Sequence, residues 1–286
     1  MPKGTYQLEL PSNRTTSVIF ASPHSGRNYP WAFLRKSVLD ELAIRSSEDA
    51  FVDLLFADVP TFGAPLLCAR GPRAYVDLNR NRDELDPALI EGVPRAGLNP
   101  RVASGLGVIP RVVSNGRAIY RGKLARQEAD ARLASHWKPY HEALEKLIGE
   151  SWLLFGEAIL VDCHSMPHEA IDSISRNGAM RAEVVLGDRF GAAASSDIVD
   201  RIEAAFTHAG LNVVRNAPFA GAYITQHYGR PSRNQHAVQI EIDRSLYMNE
   251  QLIRPNGNFQ SFQQVISAIA LEISGIGQKE QPLAAE

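Results

Sequence analysis

Four residues that lie far apart in the chain carry side chains whose types could act together: His24, Asp49, His164 and Glu241. Two imidazoles and one carboxylate form a common ligand set for catalytic zinc, one that leaves a fourth position for water. A metal held this way lowers the pKa of that water to roughly 7 and can polarise a carbonyl. Such chemistry needs a further carboxylate as general base, and Glu241 suits the role if its surroundings tune its pKa toward the working pH. Plainer readings stand beside this one. His24 and His164 can each be hydrogen-bonded structural histidines, and Glu241 can be half of a buried ion pair with an arginine.

The elements that would deliver these groups are legible from period and punctuation. The apolar run Ala158 to Val161 leads into Asp162-Cys163-His164-Ser165-Met166-Pro167, as a buried strand ending at a site would. In open α/β sheets the crevice beyond such strand ends is where ligands bind. Thr15 to Ala21 is a second strand, running into Ser22-Pro23-His24-Ser25-Gly26. Ala237 to Ile242 is a third, with Val238, Ile240 and Ile242 on one face and Gln239, Glu241 and Asp243 on the other. Val38 to Ile44 and Glu48 to Val59 read as helices, the second capped by Ser46 or Ser47 with Asp49 in its first turn.

Pro65 to Ala69 and Arg73 to Leu78 are short strand candidates, leading to Asn79-Arg80-Asn81-Arg82. Asp86 to Asn115 holds no period and reads as a long excursion covering a site. Gly122 to Ile148 is one long helix or two, bent at Pro139. Further on, Glu183 to Leu186 and Leu211 to Val214 are strands, and Ser195 to Ala209 is a serine-capped helix. Ala222 to Gln226 is a strand candidate ahead of the Arg230 loop, and Phe259 to Ile273 is a final helix. Strands and helices alternate throughout. The expected fold is therefore α/β, a mixed and largely parallel central sheet flanked by helices, in a single catalytic domain over 1–286 with an irregular tail from about 275.

Composition sets the outer limits. The 286 residues are 44% hydrophobic and 22% charged with net charge -2, which fits an ordinary globular chain and gives no basic footprint for nucleic acid. No apolar run is long enough to span a bilayer. Met1 to Pro11 lacks the basic start and apolar core of a signal peptide, so the expected location is the cytoplasm and no membrane partner is expected. Cys68 and Cys163 read as small buried hydrophobes. A cysteine hydrolase built on Cys163 is disfavoured because its side chain should point away from those of Asp162 and His164. Gly-x-Ser-x-Gly, Walker A and His-Glu-x-x-His patterns do not occur.

Seven short motifs stand in register. They are Pro23-His24-Ser25-Gly26, Asp49 four residues before Asp53, Arg73-x-Tyr75-x-Asp77-Leu78-Asn79-Arg80, Asp162-x-His164-Ser165-Met166-Pro167, Leu186-Gly187-Asp188-Arg189-Phe190-Gly191, Asn216-x-Pro218-Phe219-x-Gly221-x-Tyr223 and Gln239-x-Glu241. In this order, over about residues 15 to 272, the chain resembles the N-formylglutamate amidohydrolases, whose fold is similar to that of zinc carboxypeptidases and other zinc exopeptidases. The resemblance implies His24, Asp49 and His164 as ligands of one divalent metal, zinc ahead of manganese, nickel or iron, and Glu241 as the catalytic carboxylate. It also implies hydrolysis of N-formyl-L-glutamate to formate and glutamate, within histidine degradation.

Family members usually carry a tryptophan after the ligand aspartate. Here Glu48-Asp49-Ala50 offers two adjacent acids, so Glu48 is the alternative ligand. Ala220 likewise replaces the first of a usual glycine pair. An acidic small-molecule substrate calls for arginine forks. Arg80 and Arg230, each following a strand candidate, are the choices, with Asn79 beside them and Arg73, Arg82 and Arg176 in reserve. Asp77 and Asp162 are read either as carboxylates orienting the ligand imidazoles or as loop-bonding residues. His227 is a reserve substrate contact against a structural role, and His168 a minor ligand candidate. Hydrolysis of another acyl-amino acid or peptide-like amide, and a catalytically silent metal-binding relative, are the alternative functions. Self-association as a homodimer is left open.

Overall fold

A computed structural model describes residues 4–95, 99–113, 116–172 and 181–278. Seven strands form one sheet: β1 (Tyr6–Glu9), β2 (Val18–Ser22), β3 (Leu66–Ala69), β4 (Ala158–Met166), β5 (Val184–Gly187), β6 (Val213–Arg215) and β7 (Gln235–Asp243). Their spatial order is β1-β3-β2-β4-β7-β5-β6. β3, β2, β4 and β7 run parallel, whereas β1 pairs antiparallel with β3 and β5 antiparallel with β7. The sheet is thus mixed and largely parallel, as expected from the alternation of strand and helix signals.

Helices cover both faces. They are α1 (Trp31–Lys36), α2 (Glu41–Ile44), α3 (Val52–Leu55), α4 (Pro100–Ala103), α5 (Arg126–Arg132), α6 (Lys138–Phe155), α7 (Ser196–His208), α8 (Tyr223–Tyr228) and α9 (Phe259–Ile276). On one face Val18, Phe20, Ile159, Val161, Cys163, Val238, Ile240 and Ile242 pack beneath α3, α7 and α9. On the other, Ile19, Ala21, Leu160 and Ala237 pack beneath α1, α5, α6 and α8. Each large apolar side chain so buried contributes roughly 1.5–3 kcal/mol. Because side chains alternate along a strand, the apolar face of β4 and β7 puts Asp162, His164, Gln239 and Glu241 on the opposite face, pointing toward the α6 and α8 side. Cys163 lies in the core on the α7 and α9 side, away from His164, as alternation requires.

Local differences from the sequence reading have local causes. The helix expected over Glu48–Val59 contracts to four residues because Phe51 stands in the left-handed region, with φ of 68°. Asp49 therefore precedes α3 instead of occupying its first turn, and neither Ser46 nor Ser47 caps it. Val38–Ile44 contracts to α2, whose start is set by the Asp40 carboxylate accepting from the Ala43 N–H at 2.7 Å. Arg73–Leu78 is no strand: the Pro72 carbonyl accepts from the Tyr75 and Val76 amides, turning the chain. Ala222–Gln226 gives way to α8, with Ile224, Thr225 and Tyr228 buried at helical spacing. Ser195 begins α7, yet its hydroxyl makes no capping bond.

At Pro139 the long helix is not broken. Its missing N–H and its ring disturb the turn above it, and Leu133–Trp137 widens into a π-helical turn between α5 and α6. α9 stays helical to Ile276, past the expected start of an irregular tail; the remainder from 279 lies outside the described residues.

Candidate active site

The ends of β2, β4 and β7 and the loop before α3 converge on a cavity of about 510 Å3. His24 follows β2 by two residues in a loop that runs close to the chain at Arg70 and Gly71. Asn28 N–H donates to the Arg70 carbonyl at 2.8 Å, and a Cβ on Gly26 would collide with the Gly71 backbone, so only glycine fits there. His164 leaves β4 alongside Glu241 of β7, its register partner. Asp49 is drawn in by its own N–H donating to the His24 carbonyl at 3.1 Å.

The two imidazoles are arranged alike. His24 Nε2 lies 2.7 Å from Asp77 Oδ1, and His164 Nε2 lies 3.0 Å from Asp162 Oδ2. A carboxylate on each Nε2 holds the proton there and leaves the Nδ1 lone pair free. Both Nδ1 atoms face one oxygen, Asp49 Oδ2, at 3.4 Å from His24 and 2.8 Å from His164. The Asp49 Oδ1 atom accepts from Arg244 at 2.9 Å, and Arg244 is itself anchored on Ser165. Asp77 and Asp162 each touch one of these imidazoles, and Asp77 also accepts from the Asn79 N–H of its own loop at 2.9 Å.

Three ligand-capable atoms, one each from His24, Asp49 and His164, lie within 4.8 Å of one another. All three residues are buried, and His24 Nδ1 has no hydrogen-bond partner among the described residues. An inward Nδ1 lone pair facing a carboxylate oxygen leaves two acceptors opposed, which either a proton, as in the His164–Asp49 bond at 2.8 Å, or a cation resolves. Electrostatics agree. Burial works against a charged His164, but Asp162 and Asp49 outweigh it and hold the imidazole well above its ordinary pKa. Burial likewise opposes an ionised Asp49, and the neighbouring imidazoles of His164 and His24 overcome it, holding the carboxyl well below its usual range. The pocket is tuned to keep positive charge between its carboxylates, so the residues fit a divalent cation.

Glu241 stands beside this set with Oε1 accepting from Gln239 at 2.8 Å. Burial pushes its carboxyl up to about 7; His164, Arg73 and Arg244 oppose the rise and Asp49 adds to it. A carboxyl poised there is able to take and return a proton near neutrality. Glu48 does not compete with Asp49. Both its oxygens accept from Arg45 at 3.0 Å, the Tyr29 hydroxyl donates to it at 2.6 Å, and it lies outside the cavity wall.

The arginines divide differently from expectation. Arg80 lines the cavity, as does Arg73, whose Nε donates to Asp77 at 2.9 Å. Arg230 is exposed and does not line the cavity, because α8 and the turn after it carry the residue outward to pair with Gln235. His227 stacks on Tyr223 and is also absent from the wall. Arg82 is exposed outside it, and Arg176 lies outside the described residues. Asn79 is on the wall, but its amide donates to Asp162 at 3.3 Å beside His164 while its oxygen accepts from the Ile224 N–H, so it ties β4 to α8. His168 pairs with Asp243 at 2.7 Å, apart from the ligand group.

Arg101 and Arg244 are wall residues that the sequence reading missed. Arg244 directly follows the acidic face of β7, a usable signal; Arg101 sits in the aperiodic excursion, where no pattern marks it. The excursion itself does cover the cavity, through Arg101, Ser104, Leu106, Pro110 and Val112. Ala220 and Gly221 also line the cavity, and Gly221 lies against Gly187, where a Cβ would come within 2.5 Å of the Gly221 amide nitrogen.

Comparison with known proteins places this geometry in context. The sequence profile of the N-formylglutamate amidohydrolase family matches residues 16–248. N-formylglutamate deformylases of Pseudomonas aeruginosa and Pseudomonas putida are 29% and 28% identical, each over 82% of this chain and over 83% and 82% of their own lengths. The crystal structure of an N-formylglutamate amidohydrolase from Ralstonia eutropha JMP134 shares 33% identity, covers 96% of this chain and 99% of its own, and superposes with a TM-score of 0.89. A gene product from Agrobacterium tumefaciens, 18% identical with a TM-score of 0.65 over 96% of each chain, shares the fold. With the profile spanning His24, Asp49, His164 and Glu241, this chain belongs to the N-formylglutamate amidohydrolase family.

Proposed function

We propose that this protein hydrolyses the formyl amide of N-formyl-L-glutamate, giving formate and L-glutamate, with His24, Asp49 and His164 holding one divalent cation, zinc, and Glu241 moving the proton. The observation that carries the reading is the pair of inward Nδ1 atoms sharing Asp49 Oδ2 beside a carboxyl whose pKa lies near 7. The names of the similar proteins support the substrate.

When bound, a divalent cation polarises the formyl oxygen and lowers the pKa of a water in its open position. The chain's own groups do the rest. Glu241 accepts a proton as water oxygen bonds to the formyl carbon, then gives that proton to the amine nitrogen as the C–N bond breaks. Asp77 and Asp162 hold the imidazoles so that both Nδ1 atoms stay inward. Arg80, buried on the wall beside Asp77, receives the α-carboxylate of the substrate in this reading. We place the reaction in the cytoplasm and in histidine degradation, the role the family resemblance implies. Among the described residues no helix is long and apolar enough to cross a membrane.

The test is formate release by zinc-loaded protein from N-formyl-L-glutamate, with N-acetyl-L-glutamate and N-formyl-L-aspartate as comparators. Turnover of the formylglutamate above both is expected. No formate above the protein-free blank overturns the reading, and faster release from a comparator replaces the substrate.

A further inference from the structure

Four arginines face the cavity: Arg73, Arg80, Arg101 and Arg244. Two are committed. Arg73 donates to Asp77 at 2.9 Å and Arg244 to Asp49 at 2.9 Å, so their charges are spent within the site's own carboxylates. The other two are not. Arg80 comes no closer than 3.9 Å to Asp77, is only 7% exposed, and its Nε has no hydrogen-bond partner among the described residues. Arg101, exposed on the excursion helix α4, has no anionic partner among the described residues. The Arg80 and Arg101 guanidiniums on the wall of one cavity repel each other, and Arg101, after burial and Arg73, is among the influences that hold Arg80 below its ordinary pKa despite its long contact with Asp77. An anion between them relieves that repulsion.

The two are held in fixed relation. Glu84 Oε1 accepts from the Asn81 N–H at 2.9 Å, next to Arg80, while Oε2 accepts from the Asn99 side chain at 3.0 Å. Asn99 caps α4 by accepting from the Val102 N–H at 2.9 Å, so one carboxylate ties the Arg80 segment to the Arg101 helix. Val108, farther along the excursion, accepts from the Asp77 N–H at 2.8 Å and donates to the Glu84 carbonyl at 2.9 Å. From behind, the Trp137 indole N–H donates to the Arg80 carbonyl at 2.9 Å.

We propose that Arg101 is the specificity-determining residue of this site, reading the side-chain carboxylate of the acyl-amino acid while Arg80 takes its α-carboxylate. The assignment rests on the proposed formylglutamate activity and follows from the substrate's bond count. The α-carboxylate is two bonds from the reacting amide nitrogen and the side-chain carboxylate four. Arg80 is next to Asp77, which touches His24, so it is the arginine near the reacting end. Arg101, on the rim, meets the far end. The aperiodic excursion is thus the part of the chain that selects an acidic side chain over a neutral one.

The test compares kcat/KM for N-formyl-L-glutamate and N-formyl-L-glutamine in wild type, R101Q and R80Q, with calorimetric binding of L-glutamate and L-glutamine to the same zinc-loaded proteins. In R101Q the glutamate-over-glutamine ratio falls by about tenfold or more, mainly through KM, because a charge-assisted pair is lost for one substrate alone. In R80Q both substrates suffer together and the ratio stays within about threefold. A ratio retained in R101Q, or one lost equally in R80Q, overturns the assignment. Should wild type cleave neither substrate, the proposed activity fails, and the calorimetric ratio still decides whether Arg101 reads the side-chain carboxylate.

Discussion

Glu241 is a carboxyl beside the ligand set on the cavity wall, with burial keeping its proton affinity near neutrality. E241Q keeps the shape and the Gln239 contact while removing the proton acceptor. Its kcat is expected to fall on the order of 10²–10⁴-fold with zinc content unchanged by elemental analysis; an unchanged rate discards the proton-shuttle role. Arg244 makes a separate prediction. It fixes Asp49 through Oδ1, leaving Oδ2 turned to both imidazoles, so R244Q is expected to weaken zinc affinity by about 10–100-fold in competition with a chelator. Equal affinity in variant and wild type would show that Asp49 needs no such support. At this scale the sequence speaks clearly wherever a polar residue interrupts an apolar strand, as at His164 and Glu241. It is silent about Arg101, since nothing around that residue has a period. It misplaces Arg230, whose position depends on α8 being a helix and not a strand.

Elements were legible in proportion to their length and burial. β4 and β7, nine residues each and buried along nearly their whole length, follow the expected alternation; α3, four residues long, is set by the left-handed backbone of Phe51, which no periodicity reveals. α6 shows how an element reaches the site without entering it. His141, on its buried side, accepts from the Tyr228 hydroxyl on Nδ1 and donates from Nε2 to the Leu78 carbonyl, each at 2.9 Å, so it ties α6 to α8 and to the turn before Asn79. Burial pushes its pKa down to about 3. A folded state that binds this proton less readily than the unfolded chain is fully stable above about pH 6.5 and loses stability as pH falls toward 3. Glutamine can make both bonds without titrating. Urea unfolding of H141Q at pH 7.5 and pH 5 is therefore expected to show a smaller acid loss than wild type, by up to about 1.4 kcal/mol per pH unit. Parallel losses would mean that His141 does not carry the acid sensitivity.

The sheet divides the molecule into a face that reacts and a face that supports. His164 and Glu241 point to the side of α6 and α8, where the arginine-bearing excursion also packs, and His24 and Asp49 join them at the strand ends, while the α3, α7 and α9 side is continuous apolar packing. The chain's alternating pattern revealed this partition from β4 and β7 alone, but how far the excursion folds back depends on single contacts such as Glu84 with Asn99, which have no sequence signature. The partition can be tested by removing similar volume from each side. Ile266 of α9 and Ile224 of α8 are both fully buried, and the Ile224 N–H donates to the Asn79 oxygen at 2.8 Å. I266A and I224A should each lower unfolding free energy by about 2–5 kcal/mol, since each leaves a cavity. Below its melting temperature I266A should keep wild-type kcat/KM and zinc affinity, because the sheet separates that cavity from the site. I224A should lose zinc affinity as well, because a shift of α8 reaches Asn79 and through it Asp162 and His164. If the two variants change zinc affinity alike, the sheet does not insulate the site, and the two faces act as one cooperative body.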